Sequence, residues 1–253
     1  MSAPSFDLTG KVAVVTGGSR GLGRAMVLAF AAAGADVVIA SRNEQACLEL
    51  ADEVRATTGR EALSVGLHVG HWDAFEPFVD TVYERFGHLD VLVNNAGMSP
   101  VYDSLGDVTE ALLDKVLDVN LKGPFRLTAL VGPRMVADRG GSVVNISSAA
   151  AVAGHPRPHQ LPYAAAKAAL NALTVGFAHA YGPTVRVNSI VAGTFLTDIS
   201  KAWDMAAFAE RAAGFASGRA GEPEEIVGAA LYLASAASSY TTGSLLTVDG
   251  GQP

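Results

Sequence analysis

Residues 11–42 begin Lys11-Val12-Ala13-Val14-Val15, pass through Thr16-Gly17-Gly18-Ser19-Arg20-Gly21-Leu22-Gly23 and an alanine-rich stretch, and close on Val37-Val38-Ile39-Ala40-Ser41-Arg42. Two apolar runs around a glycine turn and an amphipathic segment read as strand, tight turn, helix, strand. Gly17 can take a positive φ, Gly21 admits a ligand close to the backbone, and Gly23 lets the helix pack on the strand. The N–H groups at the helix start then face an anionic guest, for which a dinucleotide pyrophosphate is the best fit. The spacing, Gly-x-x-x-Gly-x-Gly, differs from the commoner Gly-x-Gly-x-x-Gly, and the turn lacks the Gly-Lys-Ser/Thr ending of a nucleoside triphosphate loop.

The end of the second strand decides which dinucleotide is expected. A cofactor without a 2′-phosphate meets an Asp or Glu about 20 residues past the glycine turn. Here that place is Ser41-Arg42, and a second cation, Arg20, lies in the turn itself. Two guanidiniums and a hydroxyl would bind a phosphate that a carboxylate would repel, so NADP is expected over NAD.

At 253 residues, with 49% hydrophobic and 17% charged side chains, the chain is long enough for one large core and is expected to form a single domain over residues 1–253. The N-terminal residues have no basic and apolar leader pattern, and no run of about 18 apolar residues occurs, so a cytoplasmic protein without membrane spans is expected. The single cysteine, Cys47, excludes an internal disulfide, and no Cys/His cluster for a metal is apparent. A net charge of −7 argues against nucleic acid as a partner.

Further along, residues 43–58 have helical spacing closed by Gly59, and residues 62–67 follow as a strand ending in His68-Val69-Gly70. An amphipathic helix over 72–86 and an apolar strand over 89–93 deliver Asn94-Asn95-Ala96-Gly97, small and polar residues of the kind that line a crevice at the carboxyl ends of parallel strands. A long helical pattern spans 110–136 and contains Asn120; a strand over 141–147 leads to the pair Ser147-Ser148. The helix from about Gln160 carries Tyr163 and Lys167, four apart and therefore on one face. A strand over 184–191, a helix from Pro223 to Ala234 and a strand over 244–248 complete the alternation. The expected fold is α/β: a Rossmann-like, doubly wound, seven-stranded parallel sheet with helices on both faces.

Thr16 with the glycine turn, Asn94-Asn95-Ala96-Gly97, Ser148 and Tyr163-x-x-x-Lys167 together resemble the short-chain dehydrogenase/reductase family, from Thr16 to Gly251. The resemblance implies hydride transfer between a nicotinamide cofactor and a carbonyl or secondary alcohol. It implies Asn120, Ser148, Tyr163 and Lys167 as the catalytic set, with Asn120 holding a water beside the lysine. Cofactor contacts carry over to Gly17, Ser19, Arg20, Gly21, Leu22, Gly23, Ser41, Arg42, His68, Val69, Asn94, Ala96, Gly97, Tyr163, Lys167, Gly193, Phe195 and Thr197. Three departures stand out: His68 replaces the usual acidic residue at the adenine, Ala192 replaces a proline before Gly193, and the Ser148–Tyr163 separation is two residues longer than usual. Family members pair into tetramers, so a homotetramer is expected.

A tyrosine ionises near pH 10 in water and needs a nearby positive charge to act as a base at neutral pH, which Lys167 supplies. His155 and His159 lie four apart in the loop before the helix, but Pro156 and Pro158 prevent a helical metal-binding face. Residues 198–220 carry exposed-looking apolar groups (Ile199, Trp203, Met205, Phe208, Phe215) and read as a lid over the crevice. With Met98, Val101 and Tyr102 beside it, and Arg157 as the nearby cation, the substrate is expected to be small and partly apolar. Two other readings stay open: a non-catalytic nicotinamide sensor, and a related dehydratase or epimerase.

Overall fold

The computed structural model describes residues 5–152, 158–197, 210 and 212–252. Seven strands, β1 (Val12–Thr16), β2 (Asp36–Ser41), β3 (Ala62–Gly66), β4 (Val91–Asn94), β5 (Gly141–Ser148), β6 (Val185–Ala192) and β7 (Leu245–Val248), form one sheet in the order β3-β2-β1-β4-β5-β6-β7. Every pairing is parallel. Among the described residues the longer helices are α1 (Gly21–Ala32), α2 (Glu44–Thr58), α3 (Phe75–Phe86), α4 (Glu110–Leu117), α5 (Gly123–Ala137), α6 (Leu161–Tyr181) and α7 (Val227–Ala234). This is the doubly wound arrangement the sequence implies.

Strand alternation sends side chains to two faces, and each face has its own core. Ala13 and Val15 of β1 point with Val37 and Ile39 of β2 toward Met26 and Phe30 of α1, Leu50 and Val54 of α2, and Leu233 of α7. Val12 and Val14 point the other way, with Val38, Leu92 and Val143, toward Phe75 and Phe78 of α3 and Leu127, Val131 and Met135 of α5. Each fully buried side chain of this size contributes roughly 1.5–3 kcal/mol. The glycine stops work as read: Gly59 and Gly87 end α2 and α3 in the left-handed region at φ 67° and 76°.

The helical pattern over 110–136 is interrupted. Between α4 and α5 the chain makes a wider π turn, Asp118–Lys122, which swings Asn120 inward. Such insertions recur at functional sites, because the extra residue re-aims a side chain. The lid reading needs correction at Phe215: its ring is buried with Ala212 and Ala220 against Leu196, where the sequence reading had it exposed. Ile199, Trp203, Met205 and Phe208 lie outside the described residues.

Candidate active site

The strand order reverses direction between β1 and β4, and ligand crevices form at the carboxyl ends of strands flanking such a point. Gly17 and Gly21, at φ 63° and 53°, bend the turn after β1. A Cβ on Gly23 would lie 2.2 Å from the Gly17 carbonyl oxygen and 2.7 Å from Asn95 Nδ2; one on Gly17 would lie 2.9 Å from Ala96 Cα. Only hydrogen fits there, so the turn comes close to both α1 and the end of β4. Arg20 sits at the N-cap of α1 without a side-chain capping bond, and no acidic residue occupies the first turn. The leading N–H groups of α1 are thereby left for an anion.

Two residues absent from the expected contacts hold this cradle. Thr16 Oγ1 donates to the Val93 carbonyl at 3.2 Å and accepts from the N–H groups of Asn95 and Ala96 at 3.0 and 3.1 Å. The Asn95 amide donates to the carbonyls of Thr16 and Gly17 at 2.8 and 3.1 Å. Asn94, by contrast, is buried and spends its amide on Thr128 Oγ1 and Asn145 Oδ1 at 3.0 and 2.9 Å, so its side chain faces the sheet interior.

At the end of β2, Ser41 Oγ lies 2.9 Å from Ser19 Oγ and 3.1 Å from Cys47 Sγ, which joins the turn to β2 and α2. Arg20 and Arg42 are exposed on either side, and neither makes an ion pair among the described residues. His68 Nδ1 accepts from the Gly70 N–H at 3.1 Å while its ring stacks on His71 at 4.2 Å. Burial first, and then the charges of His71 and Arg42, hold the His68 imidazole below its ordinary pKa. Leu22 is half-buried and the Val69 side chain is buried. On the far side, Gly193 passes so close to Asp249 that a Cβ would come within 2.5 Å of its Cα. The Phe195 ring is buried, and Thr197 reaches over the turn, its Cγ2 3.3 Å from where a Gly21 Cβ would be.

The four residues expected to be catalytic converge beyond Gly97. Ser148 ends β5; its Oγ accepts from the Ala150 N–H at 3.2 Å and sits near enough to the Tyr163 phenol to favour the ionised form. Ser147 points elsewhere, its hydroxyl donating to the Lys167 carbonyl at 3.3 Å. Lys167 Nζ donates to the Ile146 carbonyl at 2.8 Å and lies 5.8 Å from the centre of the Tyr163 ring. Asn120 is fully buried: its Nδ2 donates to the carbonyls of Met98 and Val116 at 2.8 and 2.9 Å, and its Oδ1 accepts from the Met98 N–H at 3.2 Å. A Cβ on Gly97 would sit 3.0 Å from Asn120 Oδ1 and 3.5 Å from Lys167 Nζ, so one small residue separates amide from ammonium. His159 is exposed in the short turn Pro158–Gln160, whereas His155 and Arg157 lie outside the described residues.

Burial raises the Tyr163 pKa, partly offset by the Ser148 hydroxyl beside it. At neutral pH the phenol is therefore protonated. Burial pushes Lys167 down to about 8. A base whose native pKa lies below its unfolded value binds its proton less well when folded. The resulting penalty is complete below about pH 8 and is relieved as pH climbs toward the ordinary lysine value. Lys167→Met should therefore stabilise the cofactor-free protein at pH 7 by about 1–2 kcal/mol, after deducting the lost bond to Ile146. Thermal unfolding would show a rise of several degrees that shrinks between pH 8 and 10; an unchanged or lower melting temperature at pH 7 would refute the burial cost.

A family model described as enoyl-(acyl carrier protein) reductase matches residues 17–252. The chain is 37% identical over 246 residues to a 3-oxoacyl-(acyl-carrier-protein) reductase of Thermotoga maritima, covering 96% of this chain and 98% of that one. Its fold superposes on a gluconate 5-dehydrogenase of Burkholderia cenocepacia J2315, crystallised with NADP and tartrate, with a TM-score of 0.91 at 34% identity, covering 98% and 96% of the two chains. An NADPH-dependent 3-quinuclidinone reductase of Rhodotorula rubra gives 0.91 at 29% identity, covering 100% and 97%. With the sheet order, the glycine cradle and this match over nearly its whole length, the chain belongs to the short-chain dehydrogenase/reductase family of oxidoreductases.

Proposed function

We propose that the protein transfers a hydride between NADP and a carbonyl or secondary alcohol of a small, partly apolar compound in the cytoplasm. The convergence of Ser148, Tyr163 and Lys167 at the carboxyl end of β5, beside a cradle that only glycine fits, carries this reading. Gly17 to Gly23 and the start of α1 would hold the pyrophosphate; Ser19, Arg20, Ser41 and Arg42 the adenosine ribose and its phosphate; Ala96, Gly97, Gly193, Phe195 and Thr197 the remainder. The nicotinamide would supply hydride chemistry.

This chain's own residues supply placement and the proton. Ser148 holds the substrate oxygen, and Tyr163, protonated at neutral pH, gives that oxygen a proton in reduction and takes it back in oxidation. The Lys167 ammonium keeps positive charge beside the phenol and would help hold the nicotinamide-side ribose. Asn120 fixes Met98 and the floor on which a water linking Lys167 to solvent would sit. A sensor would need none of these four side chains together, which favours an enzyme. The test is nicotinamide absorbance in purified protein offered NADPH with a panel of ketones and aldehydes, and NADP with the matching alcohols. Tight cofactor binding with no turnover across the panel would favour the sensor.

A tetramer is part of the same proposal. Trp72 and Phe125, 44% and 39% exposed, line up in a row with Phe177 and Tyr181, at ring separations of 6.3, 5.6 and 5.5 Å. On α6, Ala165, Ala168, Ala172 and Val175 are also exposed. Such a face is suited to two-fold pairing with another copy. Light scattering at micromolar concentration should give about four times the 26.0 kDa chain mass; a lone chain would overturn the assembly.

A further inference from the structure

Tyr163 lies on the first turn of α6, where backbone N–H groups lack acceptors within the helix and the end frays. The local cap is missing: Gln160, at the N-cap, makes no side-chain capping bond, and Pro162 presets the first-turn φ without adding a hydrogen bond. The N–H of Leu161 nevertheless has a partner, the Tyr102 phenol oxygen, 3.0 Å away and 59 positions earlier. The same hydroxyl donates to the Pro158 carbonyl at 2.6 Å. One side chain thus ties both the segment entering α6 and the first N–H of the helix.

Tyr102 is itself anchored. Four residues before it, Met98 has both its N–H and its carbonyl held by the buried Asn120 amide. Residues 98–102 therefore form a strap, pinned at one end to the π turn under the crevice and at the other to the start of α6. Lys167 sits one turn deeper and has its own anchor, the Ile146 carbonyl. Release of the strap would loosen Tyr163 and leave Lys167 in place.

We propose that Tyr102 is a positioning residue for Tyr163, clamping the fraying first turn of α6 so that the phenol stays against Ser148. The inference rests on the reading of Tyr163 as the proton carrier. It explains how a proton-transfer group can sit at the least secure end of a helix: geometry there must hold to a fraction of an ångström, and a remote clamp supplies what the local cap does not.

Tyr102→Phe keeps the ring and removes both bonds. Amide exchange of the peptide spanning residues 161–165 should quicken by about 10-fold, the scale of one or two neutral hydrogen bonds. Turnover should fall by about 10-fold, while cofactor affinity and melting temperature stay within about 2-fold and about 2 °C of the parent. A purely structural tie would instead lower turnover, affinity and melting temperature together. Unchanged exchange at 161–165 would overturn the clamp. Faster exchange with unchanged turnover would overturn its role in positioning, and if Tyr163→Phe were also active the fault would lie with the proton-carrier reading. Exchange needs no substrate, so the clamp is tested even if the carbonyl panel finds none.

Discussion

Tyr163→Phe should lower turnover by at least about 100-fold while cofactor affinity and melting temperature stay near those of the parent protein. The ring stays in place; only the hydroxyl beside Ser148 is lost. Ser148 keeps its bond from the Ala150 N–H, so no new buried polar atom is stranded at that oxygen. What disappears is the proton at the substrate oxygen, and a positioned acid or base is worth about 100- to 10,000-fold. Steady-state turnover of any accepted substrate, with cofactor titration on the same preparation, separates chemistry from binding. Near-normal turnover in the variant would remove the mechanism.

Arg42→Ala should weaken NADP binding by roughly 10- to 150-fold and barely change NAD binding. The carboxyl end of β2 carries no carboxylate, and the Ser19–Ser41 contact brings the glycine turn against it, with Arg20 and Arg42 exposed to either side. A charge-assisted hydrogen bond contributes about 1.5–3 kcal/mol, which sets the range. Titrating both cofactors into parent and variant is the check. Equal affinities in the parent, or an unchanged ratio in the variant, would show that these guanidiniums do not read a phosphate.

Local pattern made the sheet legible. The apolar runs 12–15 and 37–40 and the strand read over 141–147 fall within a residue or two of β1, β2 and β5, because strands buried on both faces leave little freedom of composition. What escaped was set by geometry between distant residues. Asn94 and Asn95 are chemically identical neighbours, yet strand pleating turns the first into the sheet and the second onto the glycine turn. The π turn at Asp118–Lys122 hides in the helical pattern, since it is a single wider turn flanked on both sides by ordinary helix. Phe215 was misplaced because an aromatic in a loose, alanine-rich stretch does not reveal whether a pocket awaits it. Tyr102 and Leu161 are too far apart in sequence for any spacing rule to connect them.

The buried ammonium of Lys167 has a bearing on how this protein could be engineered. A library screened only for survival of heating would enrich apolar residues at position 167, since losing a desolvated charge helps the empty fold. The winners would be sturdy and inert. Under the proposed role of Lys167 in holding the cofactor, heat challenge with saturating cofactor would reverse the selection, because a ligand bound more tightly by the native lysine form adds stability through mass action. A thermostability campaign on this scaffold should be run loaded, with activity read after every round.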